Sequence, residues 1–126
     1  FSTNTMRDPK TAENAIPTII EKLSHQHQEH IEIYGYKLAE RLTGLHETSN
    51  MHEFSCGPGH RGSSLRIPPV VVKKGHGYLE DRRPGANADP YLVAARILAT
   101  ICDLELKRNN PRSSDGKSIK KEDLVV

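Results

Sequence analysis

Asp89-Pro90, followed by a broad apolar stretch, is the feature that most constrains this chain. Aspartate is a strong helix N-cap because its carboxylate accepts the unpaired amides of the first turn. Proline's fixed φ suits the first helical position. Beyond it, Leu92, Val93, Ala94, Ile97, Leu98, Ile101, Cys102 and Leu104 form one wide apolar face. The pattern predicts a helix from about Pro90 to Lys107 that buries Leu92 or Val93, Ile97, Leu98 and Ile101 on one side. Cys102 reads as a buried small hydrophobe. The basic residues Lys107 and Arg108 suit a helix C-terminus.

Composition sets outer bounds. A chain of 126 residues fits one ordinary domain or a piece of a larger one. Its hydrophobic fraction of 35%, with no Trp, is thin for a self-sufficient core. A net charge of +2 is too small to imply nucleic acid. No apolar run approaches the ~20 residues that span a membrane. Cys56 and Cys102 are far apart in unlike contexts and make no disulfide scaffold, so a reduced, cytoplasmic home is expected. The first residue is Phe1 rather than Met, which reads as a trimmed chain or a fragment.

The N-terminal third reads as helical. Ala15, Ile16, Ile19, Ile20 and Leu23 recur at helical spacing, and a start near Ala15–Ile16 would put Pro17 in the first turn. Ser24 is a candidate cap for a second stretch reaching Tyr34, which Gly35 would end. His25, His27 and His30 lie at i, i+2, i+5, not the i, i+4 spacing by which a helix presents two imidazoles to one metal, and read as a solvated face. His52, Cys56 and His60 are better spaced, but Gly57-Pro58-Gly59 forbids the helix that would align them. The literal G-x-G-x-x-G of Gly57–Gly62 neither follows a buried strand nor opens a helix, so a dinucleotide site is rejected. Ser63–Pro68, Val70–Val72 and Tyr78–Arg82 read as short strands, the last two as a hairpin or neighbouring pair across Lys73–Gly77. A polar stretch, Arg112–Val126, closes the chain.

Arg41 to Arg83 carries the chemistry. Arg41, Arg61, Arg66 and Arg82 are spread along it, with Glu47 and Glu80 beside small, turn-forming residues. Arginine's planar, permanently charged fork matches phosphate and carboxylate oxygens. Carboxylates ligate Mg²⁺ and accept protons. Interleaved on loops and short strands, the two types point to chemistry on an anionic substrate.

The words in which these residues stand resemble one family. Arg41-Leu42-Thr43-Gly44-Leu45-His46-Glu47-Thr48-Ser49, Arg61-Gly62-Ser63-Ser64-Leu65-Arg66-Ile67-Pro68, Gly77-Tyr78-Leu79-Glu80-Asp81-Arg82-Arg83-Pro84 and Asn87-Ala88-Asp89-Pro90-Tyr91 are similar to glutamine synthetase of the eukaryotic type. Phe1-Ser2-Thr3 and Met6-Arg7 match the opening. The resemblance covers Phe1 to about Thr100. It implies an α+β fold, part of a catalytic domain with helices packed on a short antiparallel sheet. Residues 1–108 would be its C-terminal part and 109–126 a divergent polar tail, expected to be mobile.

The resemblance implies ATP-dependent ligation of ammonia to L-glutamate through γ-glutamyl phosphate, with Mg²⁺ or Mn²⁺. Arg41, Arg61 and Arg82 would hold glutamate. Arg61 would reach both the ATP phosphate and the transferred group. Arg66 and Arg7 would contact ATP, Tyr78 and Leu79 would line the nucleotide site, and Glu80 would be a metal ligand at the same place. Glu47 would lie on a closing flap and take a proton from ammonium; Glu47, Arg61 and Arg82 are the catalytic set. Partners would be other copies of the full-length subunit in a homo-oligomeric ring, with neither nucleic acid nor membrane. Three departures stand out: Tyr36–Glu40 replaces a Gly- and Asn-rich stretch, Pro58 stands where a small aliphatic residue is usual, and Pro9-Lys10 replaces a glycine-containing loop. Upstream metal-binding glutamates of the family are not in this sequence, so the isolated chain is expected to be inactive. The alternative is a non-catalytic relative kept as a structural or assembly module.

Overall fold

The computed structural model describes residues 1–106. Six helices run in chain order among them: α1 Asn4–Arg7, α2 Ala12–His25, α3 His27–Ile31, α4 Leu38–Arg41, α5 Pro69–Lys74 and α6 Pro90–Ile101. Three strands, β1 Cys56–Pro58, β2 Leu65–Ile67 and β3 Glu80–Asp81, make one sheet in the order β1-β2-β3. The class is α+β, as expected. The expected tail, 109–126, and the boundary before it lie outside the described residues. No helix among the described residues is long and apolar enough to cross a membrane.

The sheet is mixed rather than antiparallel. β2 and β3 are antiparallel, but β1 and β2 run parallel, Cys56 opposite Leu65 and Pro58 opposite Ile67. Parallel neighbours normally need a long crossover. Strands of about 10 Å need much less, and the loop from Gly59 to Ser64 suffices. Gly59 makes the turn with φ +64 and donates its amide to the Ile67 carbonyl at 2.8 Å.

Val70–Val72 is helical, not a strand. Pro68 and Pro69 decide this against the β-branched pattern. Pro68 is extended, with φ −59 and ψ 145, and Pro69 occupies the first helical position. Gly75, left-handed at φ 79, stops α5. Only Val71 of the three valines is buried, in keeping with one turn of helix rather than an inner strand.

α2 starts at Ala12, so Pro17 sits inside it rather than in its first turn. The missing proline N–H leaves the Glu13 carbonyl without its i+4 donor. Both residues are exposed, so water can take that place. Ser24 lies within α2 and does not cap α3, whose N-cap is Gln26. The solvated-face reading holds for His25 but fails for His27 and His30, which are 8% and 0% exposed. Both lie on the inner side of α3, where polar partners described below receive them.

Asp89 caps α6 as expected, accepting from the Tyr91 amide at 2.9 Å. The helix ends at Ile101, short of Lys107. Asp103 turns left-handed at φ 54, and Leu104 donates back to the Ala99 carbonyl at 2.8 Å, a Schellman closure. Lys22 of α2 binds that end through the Ile101 carbonyl and the Asp103 carboxylate. The buried residues of α6 are Arg96, Ala99 and Thr100. The apolar side expected to be buried is only partly so: Val93 and Ile101 are half-covered against the two cores, Ile97 is half-covered, and Leu92 and Leu98 are exposed. Val93, Ile97, Leu98 and Ile101, with Phe1 and Pro84, line an open apolar groove of about 490 Å³. Cys102 is exposed, beyond the last turn, and no buried hydrophobe.

Two small cores result. Met6, Ile19, Leu23, Leu65 and Leu79 pack α1, α2 and the sheet together. Ile31, Tyr34, Leu38 and Leu42 pack α3 against α4.

Candidate active site

β3 and its continuation, Glu80-Asp81-Arg82-Arg83, alternate between two environments, as a period of two requires. Glu80 and Arg82 meet the other candidate residues. Asp81 and Arg83 point the other way and are buried. Register places Glu80 opposite Arg66 on β2, and the Arg66 guanidinium donates to the Glu80 carboxylate at 2.8 Å. Arg66 Nε is buried without a partner among the described residues, so this fork is not saturated. Arg82 donates from Nε to the Arg61 carbonyl at 2.8 Å. Arg61 itself faces Glu47 at 3.8 Å, with both side chains about two-thirds exposed. An ion pair so open to water contributes little and leaves the arginine able to move.

Glu47 sits at the tip of an excursion closed at its base by the Thr43–Asn50 bridge and the Met51 amide on the Leu42 carbonyl. His46 and Glu47 are both left-handed, at φ 53 and φ 60. That conformation is costly for residues with a Cβ and is concentrated at functional loops. Thr48 steadies the tip, its amide and its hydroxyl both donating to the Leu45 carbonyl. The tip overhangs an open polar cavity of about 610 Å³, lined by Glu47, Thr48, Glu53, His60, Arg61 and Gly62 among others. His60 accepts the Gly62 amide on Nδ1 at 3.0 Å, holding the turn that carries Arg61.

The remaining expected residues are less alike. Arg41 directs one terminal nitrogen at the carbonyls of Arg82, Arg83 and Pro84, at 3.0, 2.6 and 3.1 Å. It is thus a clamp on the chain leaving β3, with its other nitrogens outside that contact. Its pKa is lowered by partial burial and by the charge of Arg82. Arg7 is exposed and bonded to Asn4 at 3.0 Å, away from the other arginines' contacts, although its neighbour Met6 accepts the Gly77 amide at 2.9 Å. Tyr78 is exposed. Leu79 is fully buried in the core, and both its backbone groups bond Phe1, so its side chain supports the sheet rather than lining a cavity.

The metal expectation meets an incomplete donor set. Glu80 is the sole acid of the pair it forms with Arg66, and Asp81 is taken by Arg83. Among the described residues no group of three or more His, Cys, Asp or Glu is arranged to hold a metal ion. These residues do not by themselves make a divalent-ion site, nor do His52, Cys56 and His60 make a zinc site.

Behind β3 lies a buried polar layer that sequence reasoning missed. Arg83 is fully buried and donates to Asp81 through Nε and a terminal nitrogen, both at 2.9 Å. Its other terminal nitrogen donates to His27 Nδ1 at 2.9 Å, which leaves His27 Nε2–H to donate to the Met51 carbonyl. The guanidinium also stacks over the Tyr34 and Phe54 rings, at 5.2 and 5.4 Å. Burial pushes the Asp81 carboxyl up, but the bonds and charge of Arg83, with the Tyr34 hydroxyl, outweigh it and hold the group below its ordinary value. Burial, with Arg83 nearby, pushes His30 down to about 3. The same two causes, partly offset by the bond to Met51, lower His27. The signal for this layer was present in the alternating acid–acid–base–base order of Glu80–Arg83.

Comparison with known proteins supplies the context. No protein-family model matches the chain. A glutamine synthetase of Kluyveromyces lactis is 46% identical over 121 residues, covering 94% of this chain and 32% of that protein. Those of Saccharomyces cerevisiae and the lobster Panulirus argus are 52% and 49% identical over 101 and 106 residues, covering about four-fifths of this chain. The chain spans only 27–32% of the length of these relatives.

Proposed function

We propose that this chain, which belongs by sequence to the glutamine synthetase family, supplies the arginine lining and the flap carboxylate of an ATP-dependent ligase joining ammonia to L-glutamate. In the reaction, the glutamate side-chain carboxylate attacks the γ-phosphorus of ATP and releases ADP. Ammonia then attacks the acyl carbon of γ-glutamyl phosphate and expels phosphate. Both steps crowd negative charge onto oxygens, and preoriented cations lower that barrier. Arg61 and Arg66 would meet ATP phosphate, with Arg61 also on the transferred group, and Arg82 and the unclamped side of Arg41 would meet glutamate. Glu47 would take the proton that the attacking amine must lose, at the tip of a loop that keeps water from an acyl phosphate. Arg7 and Tyr78, both exposed, would bear on the nucleotide, with Leu79 supporting the sheet beneath them.

The observation that carries the reading is the linkage of four separate segments into one edge. Glu47 meets Arg61, the Arg61 carbonyl meets Arg82, and Arg66 meets Glu80. The Mg²⁺ or Mn²⁺ of the reaction would neutralise phosphate charge. Glu80 would be one ligand, and the others would come from outside the described residues 1–106. Cytoplasmic location and assembly with full-length copies in a ring belong to the same proposal. A non-catalytic assembly role is the second reading, favoured by the incomplete donor set around Glu80.

In a full-length protein carrying this segment, Glu47→Ala should slow ammonia-dependent turnover far more than it weakens ATP binding, because the carboxylate acts after phosphoryl transfer. Steady-state kinetics beside equilibrium nucleotide titration measures both. Equal losses would count against the assignment.

A further inference from the structure

β3 is paired to β2 through only two residues, Leu65 opposite Asp81 and Arg66 opposite Glu80. So short a ladder fixes neither the roll of the strand nor the direction of the side chains that leave it. Yet Glu80 and Arg82 are held at hydrogen-bond distance from their partners. The backbone is also held by the Arg82 amide on the Ser64 carbonyl, by Phe1 on both backbone groups of Leu79 and by Arg41 on the carbonyls of Arg82 to Pro84. The further hold on the strand's side chains is on its other face, where Asp81 and Arg83 are buried.

That face ends a hydrogen-bond chain drawn from three elements. Thr100 of α6 meets His30 Nε2 at 2.6 Å, His30 Nδ1 meets the Tyr34 hydroxyl at 2.6 Å, and Tyr34 donates to Asp81 at 2.6 Å. The proton positions follow. A carboxylate can only accept, so the Tyr34 proton faces Asp81, and the tyrosine oxygen accepts from His30 Nδ1–H. His30 is neutral, and its Nε2, at 2.6 Å, is the nearer of two acceptors for the Thr100 hydroxyl, whose alternative is Gln26 Oε1 at 3.2 Å. Every link points toward Asp81, and Arg83 closes the end. Tyr34 is 0% exposed and lines none of the cavities described above. It therefore acts through Asp81.

We propose that the Tyr34 hydroxyl, anchored through His30 to Thr100, is a positioning group that sets β3 so that Glu80 and Arg82 point at the site. The consequence for ligands rests on the function proposed above; the consequence for geometry does not.

The experiment uses the 126-residue chain, Tyr34→Phe, and the pair Thr100→Val and Thr100→Ser. Tyr34→Phe keeps the ring and its stacking on Arg83 and removes one oxygen. The readout is the side-chain Nε–H signal of Arg82, which reports its bond to the Arg61 carbonyl, followed by NMR and solvent exchange. In Tyr34→Phe the Arg82 signal should shift and exchange on the order of tenfold faster, while the amides of Leu23 and Leu65 in the main core keep their protection. Thr100→Val should move the same signal, and Thr100→Ser, which restores the hydroxyl, should return it. If Tyr34→Phe does not fold, the Thr100 pair decides alone. An Arg82 signal unchanged in position and exchange, or one that Thr100→Ser fails to restore, would overturn the proposal. ATP titration of a full-length protein carrying this segment runs beside it. If the Arg82 signal moves in the 126-residue chain but the full-length protein binds no ATP, the positioning role stands and the nucleotide reading fails.

Discussion

Arg83 has no exposed surface and still carries a full charge, because Asp81, His27 and two aromatic faces replace the water it has lost. That arrangement requires neutral histidines, and acid attacks it. In the unfolded chain His30 titrates near its ordinary 6.5, and in the folded chain near 3. Below pH 6.5 the unfolded state therefore binds the extra proton, so stability falls as pH falls from 6.5 toward 3. At pH 5 the loss from His30 alone is about 2 kcal/mol. The lowered pKa of His27 acts in the same direction. Urea unfolding at pH 7 and pH 5 should show this difference, and His30→Gln should reduce it. A stability that does not change over that range would contradict the buried neutral state. At this scale the Arg66–Glu80 pair was legible because each is a charged group in a distinctive word and the strand register sets them opposite one another. His27 and His30 were not, because helical spacing tells which residues share a face but not whether buried partners await them.

Among the elements, α6 shows where pattern misleads. Its start was legible from Asp89-Pro90, since capping is local chemistry. Its buried side was not. Apolar periodicity marks Val93, Ile97, Leu98 and Ile101 as a face, but the buried residues of α6 are Arg96, Ala99 and Thr100, with Val93 and Ile101 only partly buried against the two cores. Thr100 serves the hydrogen-bond chain, and Arg96 reaches Gln26 at 2.8 Å. Ala99→Leu should destabilise by about 1–3 kcal/mol through overpacking, whereas Leu98→Gln, on the open groove, should change stability by less than about 0.5 kcal/mol. Thermal or urea unfolding of the two variants reads the contrast, and the reverse order would mean that the groove is closed in solution. At β1–β2 and α5 the misses have one cause. Strands of three residues and a single helical turn are governed by Pro58, Gly59, Pro68 and Gly75, not by hydrophobic alternation.

For the molecule as a whole, the fold carries several motif arginines and the loop carboxylate of Glu47 on one small mixed sheet and its loops. Two contact groups result there: Glu47 with Arg61 and, through the Arg61 carbonyl, Arg82; and Arg66 with Glu80. No three-ligand metal group stands beside them among the described residues. Phosphoryl transfer from ATP to a carboxylate requires more charge compensation than these arginines provide. On the function proposed above, this chain contributes a segment of a glutamine-forming site and does not complete it. The direct measurement is glutamine formation by purified residues 1–126 with ATP, L-glutamate, ammonia and Mg²⁺ or Mn²⁺. The account predicts no turnover above that of a sample lacking the protein. Metal-dependent turnover that survives repurification and disappears with Arg82→Ala would contradict it.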